Sequence, residues 1–353
     1  MADDGTPQLL DHPVTPPEEI ERIFLDAVVR EGVFPAGQFS MALPRLWSVD
    51  TPGEAAFPDP ERPALTIARA MPGTAEAHGA EIDAKVNVHA AFLPRVINGS
   101  DWLQRWSVTQ GLDLQQLREL PTAFGLLGDG LALAPQTGRL HRMLTIKDGD
   151  VLFLVDGSVD HGGDPSRPQL QEIALMAMMR FRLLAPSGQH YAEQMQDISL
   201  DGTAGGAQFL LPDSWMPVAN DEPPPPDGAL GQWILPGPDS VAGTLVAALG
   251  SAPGTAEPLE SVLLGKLEAQ GIQFDEATET LSVTREATMM QVMQRRGTAR
   301  GADAVLLLLR ANHAGVPLSL ALLTPSAAED FETWAINRRV FEIALETLRM
   351  GSA

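Results

Sequence analysis

Short apolar runs set off by turn residues dominate this chain, and stretches with three-four spacing occur at fewer places. Phe39–Leu43, Ala64–Ala70, Val86–Phe92 and Gly243–Leu249 read as strands. Between Arg142 and Val155 two apolar runs flank Asp148-Gly149, which predicts a hairpin closed by a two-residue turn. Counted outward from that turn, Lys147 faces Asp150, Ile146 faces Val151 and Leu144 faces Phe153, while Thr145 faces Leu152 and Met143 faces Leu154. Both faces are then apolar, and such a sheet must be covered on both sides, by its own helices or by something borrowed. Val305–Leu309 and Leu318–Leu323 repeat the condition around a longer expected turn at Ala311–Gly315.

Helix signals frame these strands. Thr15-Pro16-Pro17-Glu18 has the form of an N-cap, a first-turn proline and a glutamate three residues on, and Ile20, Ile23, Phe24, Ala27 and Val28 follow at helical spacing before Gly32. This predicts a helix covering a sheet edge or a module junction, preceded by a loose tail over residues 1–14. Trp102, Leu103 and Trp106 mark a helix over Asp101–Gln110, and Leu259, Val262, Leu263 and Leu267 another over Glu257–Gln270. Capping-box patterns at Ser166-Arg167-Pro168-Gln169 and Ser326-Ala327-Ala328-Glu329 open helices expected to reach Leu183 and Met350. In the second of these, Arg338 interrupts an apolar stripe and must find water or an acid.

The elements recur. Leu43-Pro44-Arg45-Leu46-Trp47 returns 168 residues later as Leu211-Pro212-Asp213-Ser214-Trp215, Glu172-Ile173-Ala174-Leu175 returns after 170 as Glu342-Ile343-Ala344-Leu345, and Gln110-Gly111 returns after 160 as Gln270-Gly271. Offsets that change while the order holds describe one module written twice with loops of different length. The proline-rich stretches at Asp50–Arg62 and Asn220–Gly231, the latter with Pro223–Pro226, fall at the same point of each copy. The expected fold class is α+β, two tandem antiparallel-sheet modules flanked by helices. The expected division is 1–35 tail and helix, 36–184 first module, 185–205 linker and 206–353 second module.

At 353 residues two ordinary domains are the natural size, and 44% apolar with 20% charged residues is a globular composition. A net charge of −22 disfavours nucleic acid and anionic membranes as partners. Three lysines among 24 basic residues suggest a GC-rich genome, with adaptation to high salt as the alternative. Without cysteine, disulfide and thiolate chemistry are excluded. The acidic start and the shortness of the longest apolar run, Ala304–Leu309, point to a cytoplasmic protein with no stable membrane insertion. No pair among the seven histidines has zinc spacing, so no metal and no cofactor is expected. Asp156, Asp160, His161 and Asp164 form the densest polar cluster, a candidate for a hard cation or a hydrolase, although Gly157, Gly162 and Gly163 suit a plain turn there. Gly125–Gly130 lacks the lysine and spacing of a phosphate loop. Arg295–Arg300 is the one basic knot, and Met176, Met178, Met179, Met289, Met290 and Met293 are core filling or an adaptable surface.

The order of apolar strand, LP-x-x-W, proline-rich loop, helix, hairpin and capped helix, carried twice by Leu43–Trp47 and Leu211–Trp215, resembles the PsbP-like family that includes the bacterial DcrB and Eag proteins. The resemblance implies an antiparallel sheet flanked by helices and no enzymatic activity. For Eag-type members it implies a chaperone that holds apolar segments of type VI secretion effectors. The expected function is therefore a non-enzymatic chaperone or adaptor sheltering an apolar segment of another protein, with a small-ligand or lipid carrier as the alternative. The positions expected to meet a guest are Met143, Leu152 and Leu154 in the first hairpin, Leu306, Leu308, Leu318 and Leu320 in the second, and Arg338.

Overall fold

The computed structural model describes residues 9–30, 37–52, 64–73, 84–160, 167–219, 228–238, 240–250, 272–275, 278–285, 288–299 and 301–352, with 261, 264, 265 and 267. They fall into two compact units, Met1–Ala192 and Glu193–Ala353.

The first unit contains α1 (Pro17–Ile23), β1 (Phe24–Val29), β2 (Phe39–Pro44), β3 (Trp47–Asp50), β4 (Leu65–Pro72), β5 (Ala84–Phe92), α2 (Gly99–Thr109), β6 (Asp113–Thr122), β7 (Gly125–Ala134), β8 (Arg139–Asp148), β9 (Val151–Asp160), α3 (Arg167–Met179) and β10 (Arg182–Leu183). Its large sheet has the order β3-β4-β5-β9-β8-β7-β6 and its small one β1-β2-β10. The second unit contains β11 (Met195–Gly202), β12 (Gly205–Pro212), β13 (Met216–Pro217), β14 (Ala229–Pro236), β15 (Val241–Leu249), β16 (Ile272–Phe274), β17 (Thr278–Arg285), β18 (Thr288–Ala299), β19 (Ala302–His313), β20 (Val316–Pro325), α4 (Phe331–Thr347) and β21 (Arg349–Ser352). Its orders are β13-β14-β15-β20-β19-β18-β16, with β17 also on β18, and β11-β12-β21. The orders match strand for strand, so the chain is two copies of one α+β module.

The match extends one strand further upstream than the sequence suggests. Phe24–Val29 forms β1, antiparallel to β2, and its counterpart β11 lies within the stretch expected as linker. The helix expected over residues 15–30 is therefore corrected to seven residues followed by a strand. Val28 and Val29 are β-branched, and Ala27 and Val29 turn inward onto the core, an alternation that a strand satisfies. Thr15 does not cap α1. Pro16 holds the cap position without a side-chain bond, and Thr15 gives both its N–H and its hydroxyl to Glu172 at 2.8 Å each. The closing helices are also shorter than expected, since β10 and β21 follow them, and α4 starts after Asp330, whose carboxylate accepts from Thr333 N at 3.1 Å. The four prolines at 223–226 lie outside the described residues, as does most of the helix expected at 257–270.

The first hairpin turns at Gly149-Asp150, with Asp148 opposite Val151 and Ile146 opposite Phe153, one residue along each strand from the expected register. Only Gly149 of the turn pair has positive φ, at 61°, as a turn with glycine in its first central position requires. Because the partner sum moves by two, each side chain keeps its predicted face. In the second hairpin the expected long turn is the pair Ala314-Gly315, with φ of 51° and 87°. Two positive values define a turn that suits Asn-Gly, and an alanine there is held in the left-handed region at a cost. Ala314→Asn is expected to raise unfolding free energy by about 0.5–1 kcal/mol in urea titrations.

In the first unit, α3 lies on one face of the large sheet. A Cβ at Gly157 would come within 2.2 Å of the Ala174 methyl, so glycine lets helix and strand touch there. Phe39, Met41, Leu43, Ile67, Val88, Phe153 and Val155 fill this layer. The opposite face lies under α2, where Leu103 is fully buried.

Candidate functional site

The seven apolar positions expected to meet a guest are between 0 and 2% exposed. Met143, Leu152 and Leu154 belong to the face under α2. Leu306 and Leu308 pack with Leu267 on one face of the second sheet, and Leu318 and Leu320 lie on the other. The expectation that these positions are open to a guest is thereby corrected, because each of the seven is buried within its own unit. Arg338 is half-buried, donates from Nε to Glu342 at 3.0 Å and stacks over Trp334 at 5.5 Å. Its neighbour Arg339, which the helical stripe did not single out, is the interior cation, 1% exposed and bound in a fork to Glu346 at 2.8 and 3.0 Å.

A different feature of the first unit holds a guest-like segment. Residues 9–11, expected as loose tail, lie as a strap across the sheet face that α3 shares. The Leu9 side chain rests on Ala84, Leu131, Leu140 and Val159. Gln116 Oε1 accepts Leu9 N at 3.0 Å, and the Arg142 guanidinium donates to the Leu10 carbonyl. Arg118 pairs with Asp11 at 2.6 Å and also with Asp129, while buried Arg142 pairs with Asp129 at 3.1 Å. The hydrogen bond to Asp129 is the main reason that Arg118 is held above its ordinary pKa. The strap thus has an apolar seat, side-chain partners for backbone groups and a guanidinium for its acid.

The second unit has a groove of about 700 Å³ on the face that α4 shares, lined by Phe274, Gln294, Arg296, Val305, Ser326 and Trp334 among others. Val305 lies opposite Thr324, whose hydroxyl meets Asn337 of α4 at 2.9 Å, which fixes the face. Arg296, on β18 and opposite Val305, is exposed and meets no carboxylate among the described residues. Arg295 and Arg296, from the basic knot, are thus strand residues of β18.

Of the acidic cluster read from sequence, only Asp156 has a described side chain. Residues 161–166 lie outside the described residues, and Asp156 instead faces His141, whose Nδ1 is 2.9 Å away, and His89, whose Nε2 is 4.0 Å away. His89 Nδ1 sits 3.1 Å from the Thr66 hydroxyl. The histidines were missed because they come from two strands that flank β9, a proximity visible only once β5, β9 and β8 are laid side by side. Among the described residues no group of three His, Cys, Asp or Glu could hold a metal ion. Burial pushes the Asp156 carboxyl up, but hydrogen bonds and charge from His141 and His89 outweigh it and hold it well below the carboxylate range. A pKa below its unfolded value adds stability above about pH 4 and loses it as the pH falls further. Asp156→Asn should flatten the acid limb, so that the unfolding free energies of variant and parent converge between about pH 4 and 2 in denaturant titrations.

No family model matches the chain, and no curated protein does. Among solved structures it is similar to cyanobacterial PsbP from Synechocystis sp. PCC 6803, at 15% identity over 48% of this chain and 99% of that one, with a TM-score of 0.32. It is similar to the Saccharomyces cerevisiae Ran-binding protein Mog1p at 10% over 44% and 95%, TM-score 0.31. The immunity protein TplEi of the type VI secretion system from Pseudomonas aeruginosa matches at 10% over 92% and 97%, TM-score 0.21. Likenesses at these scores carry no assignment. No described helix is long and apolar enough to cross a membrane.

Proposed function

We propose that the chain is a non-enzymatic binding protein, a chaperone or adaptor whose modules shelter an apolar segment of a partner protein. The observation that carries this is the strap itself: the first module seats an extended leucine-bearing segment, with Gln116 and Arg142 bonded to its backbone and Arg118 to its acid. Side-chain bonds to backbone groups are indifferent to much of the guest's sequence, which suits a module that takes extended segments. A tandem PsbP-like protein of the DcrB or Eag type, acting in the cytoplasm on a type VI secretion effector, is the concrete form of this reading. Co-purification from the native host followed by mass spectrometry tests it, with one stoichiometric protein partner as the expected result. Recovery of the chain alone would overturn it.

A second reading, a carrier of a small amphipathic molecule, is favoured by the groove of the second unit, whose volume and apolar walls at Val305 and Trp334 suit one. Native mass spectrometry of the freshly isolated protein would then show a bound species of constant mass.

A further inference from the structure

We propose that the groove of the second unit is the docking site for an extended segment of a partner protein in which a leucine stands two residues before an acid. The proposal rests on the protein-binding reading above and adds its site and the chemistry of its guest.

The argument begins from the duplication. The hairpins close at Gly149-Asp150 and Ala314-Gly315, 165 residues apart, which places Val305 where the first unit has Leu140. Following the pairing outward, Leu131 lies opposite Arg142 and Leu133 opposite Leu140, while Gln294 lies opposite Leu307 and Arg296 opposite Val305. Gln294 and Arg296 therefore occupy the places of Leu131 and Leu133. The groove is the same patch of the same sheet face that Leu9 covers in the first unit. In one copy this patch binds extended chain, and in the other no described segment is seated on it.

The substitutions between copies say what the open patch accepts. Val305 and Trp334 give an apolar seat, which suits a leucine, while the Phe274 ring packs with Leu306 and Leu308 on the opposite face. Gln294 brings an amide, the group by which Gln116 holds the Leu9 backbone. Arg296 is an exposed guanidinium with no carboxylate among the described residues, as Arg118 would be without Asp11 and Asp129. Asp275 and Asp303 on the rim repel further acids, and the net charge of −22 rejects a polyanion. One acid close to one leucine is the pattern that remains, and it is the pattern of Leu9 and Asp11.

A fluorescent peptide with the sequence of residues 8–14 is the probe, titrated into the full chain with anisotropy as readout. Saturation below about 1 mM is expected, weakened by at least about tenfold in Arg296→Glu and in Trp334→Ala. Arg296 is exposed, so its variant tests the site even if Trp334→Ala fails to fold. Absence of saturation, or equal affinity for Arg296→Glu, overturns the site. Loss of binding in Arg118→Glu but not in Arg296→Glu would show that the peptide competes with the strap of the first unit, and also overturns it. Dimerisation abolished by deleting residues 9–14 would give the groove to a second copy of this chain instead of a partner. If Arg296→Glu still recovers the partner from the native host, the groove assignment fails while the adaptor reading stands.

Discussion

Asp129→Ala is expected to cost about 3–5 kcal/mol of unfolding free energy, read from guanidinium titrations. Arg142 is 2% exposed, and Asp129 accepts from its Nε at 3.3 Å and its Nη2 at 3.1 Å. Removing the carboxylate leaves a guanidinium in the interior with, among the described residues, only the Leu10 carbonyl to meet it, and desolvation of that charge is then largely uncompensated. Replacing both partners by apolar residues, Arg142→Met with Asp129→Leu, should recover most of the loss, because the pair itself adds little beyond an apolar core. In the single variant the Leu9 strap should also become sensitive to brief proteolysis, since Arg118 and Arg142 both lose the acid that orients them.

Trp215→Ala is expected to cost about 3–5 kcal/mol, and Trp47→Ala clearly less in the same titrations. The two tryptophans close the same LP-x-x-W motif, but Trp215 is fully buried and Trp47 is partly exposed. The ring of Trp215 fills space that a Cβ at Gly243 would contest at 2.9 Å, so truncation opens a cavity against β15 that the neighbouring backbone cannot easily close. Trp47 packs at the margin of the layer that holds Leu9, where collapse and water can both fill the gap. A result with equal costs would mean that the copies are packed alike at this point.

The duplication and most strands were legible because side-chain alternation and short repeated words survive loop drift. What failed has common physical roots. At the module's start, Ile20 to Val28 satisfies helical spacing as well as strand alternation, and only pairing with β2 decides between them. A helical reading of that strand leaves its twin β11 in the linker. The faces of the first hairpin were right and its register was not, since Asp148-Gly149 and Gly149-Asp150 are both acceptable two-residue turns. The guest positions failed for a different reason: an apolar side chain that awaits a partner and one covered by its own helix look identical in sequence. Polar residues in the strands proved more telling, as His89, His141, Arg142 and Arg296 show. Their meaning depends on cross-strand neighbours, which a linear reading does not provide.

The first unit in effect carries a resident guest, tied at Gln116, Arg142, Arg118 and, through Thr15, at Glu172. Tethering makes that occupancy intramolecular, so no free competitor at ordinary concentration would displace it. Trimming the chain to begin at Pro16 would uncover Leu131, Leu140 and Val159 and turn a protein with one receptive patch into one with two. The length of the N-terminal segment thus sets the valency of the whole chain.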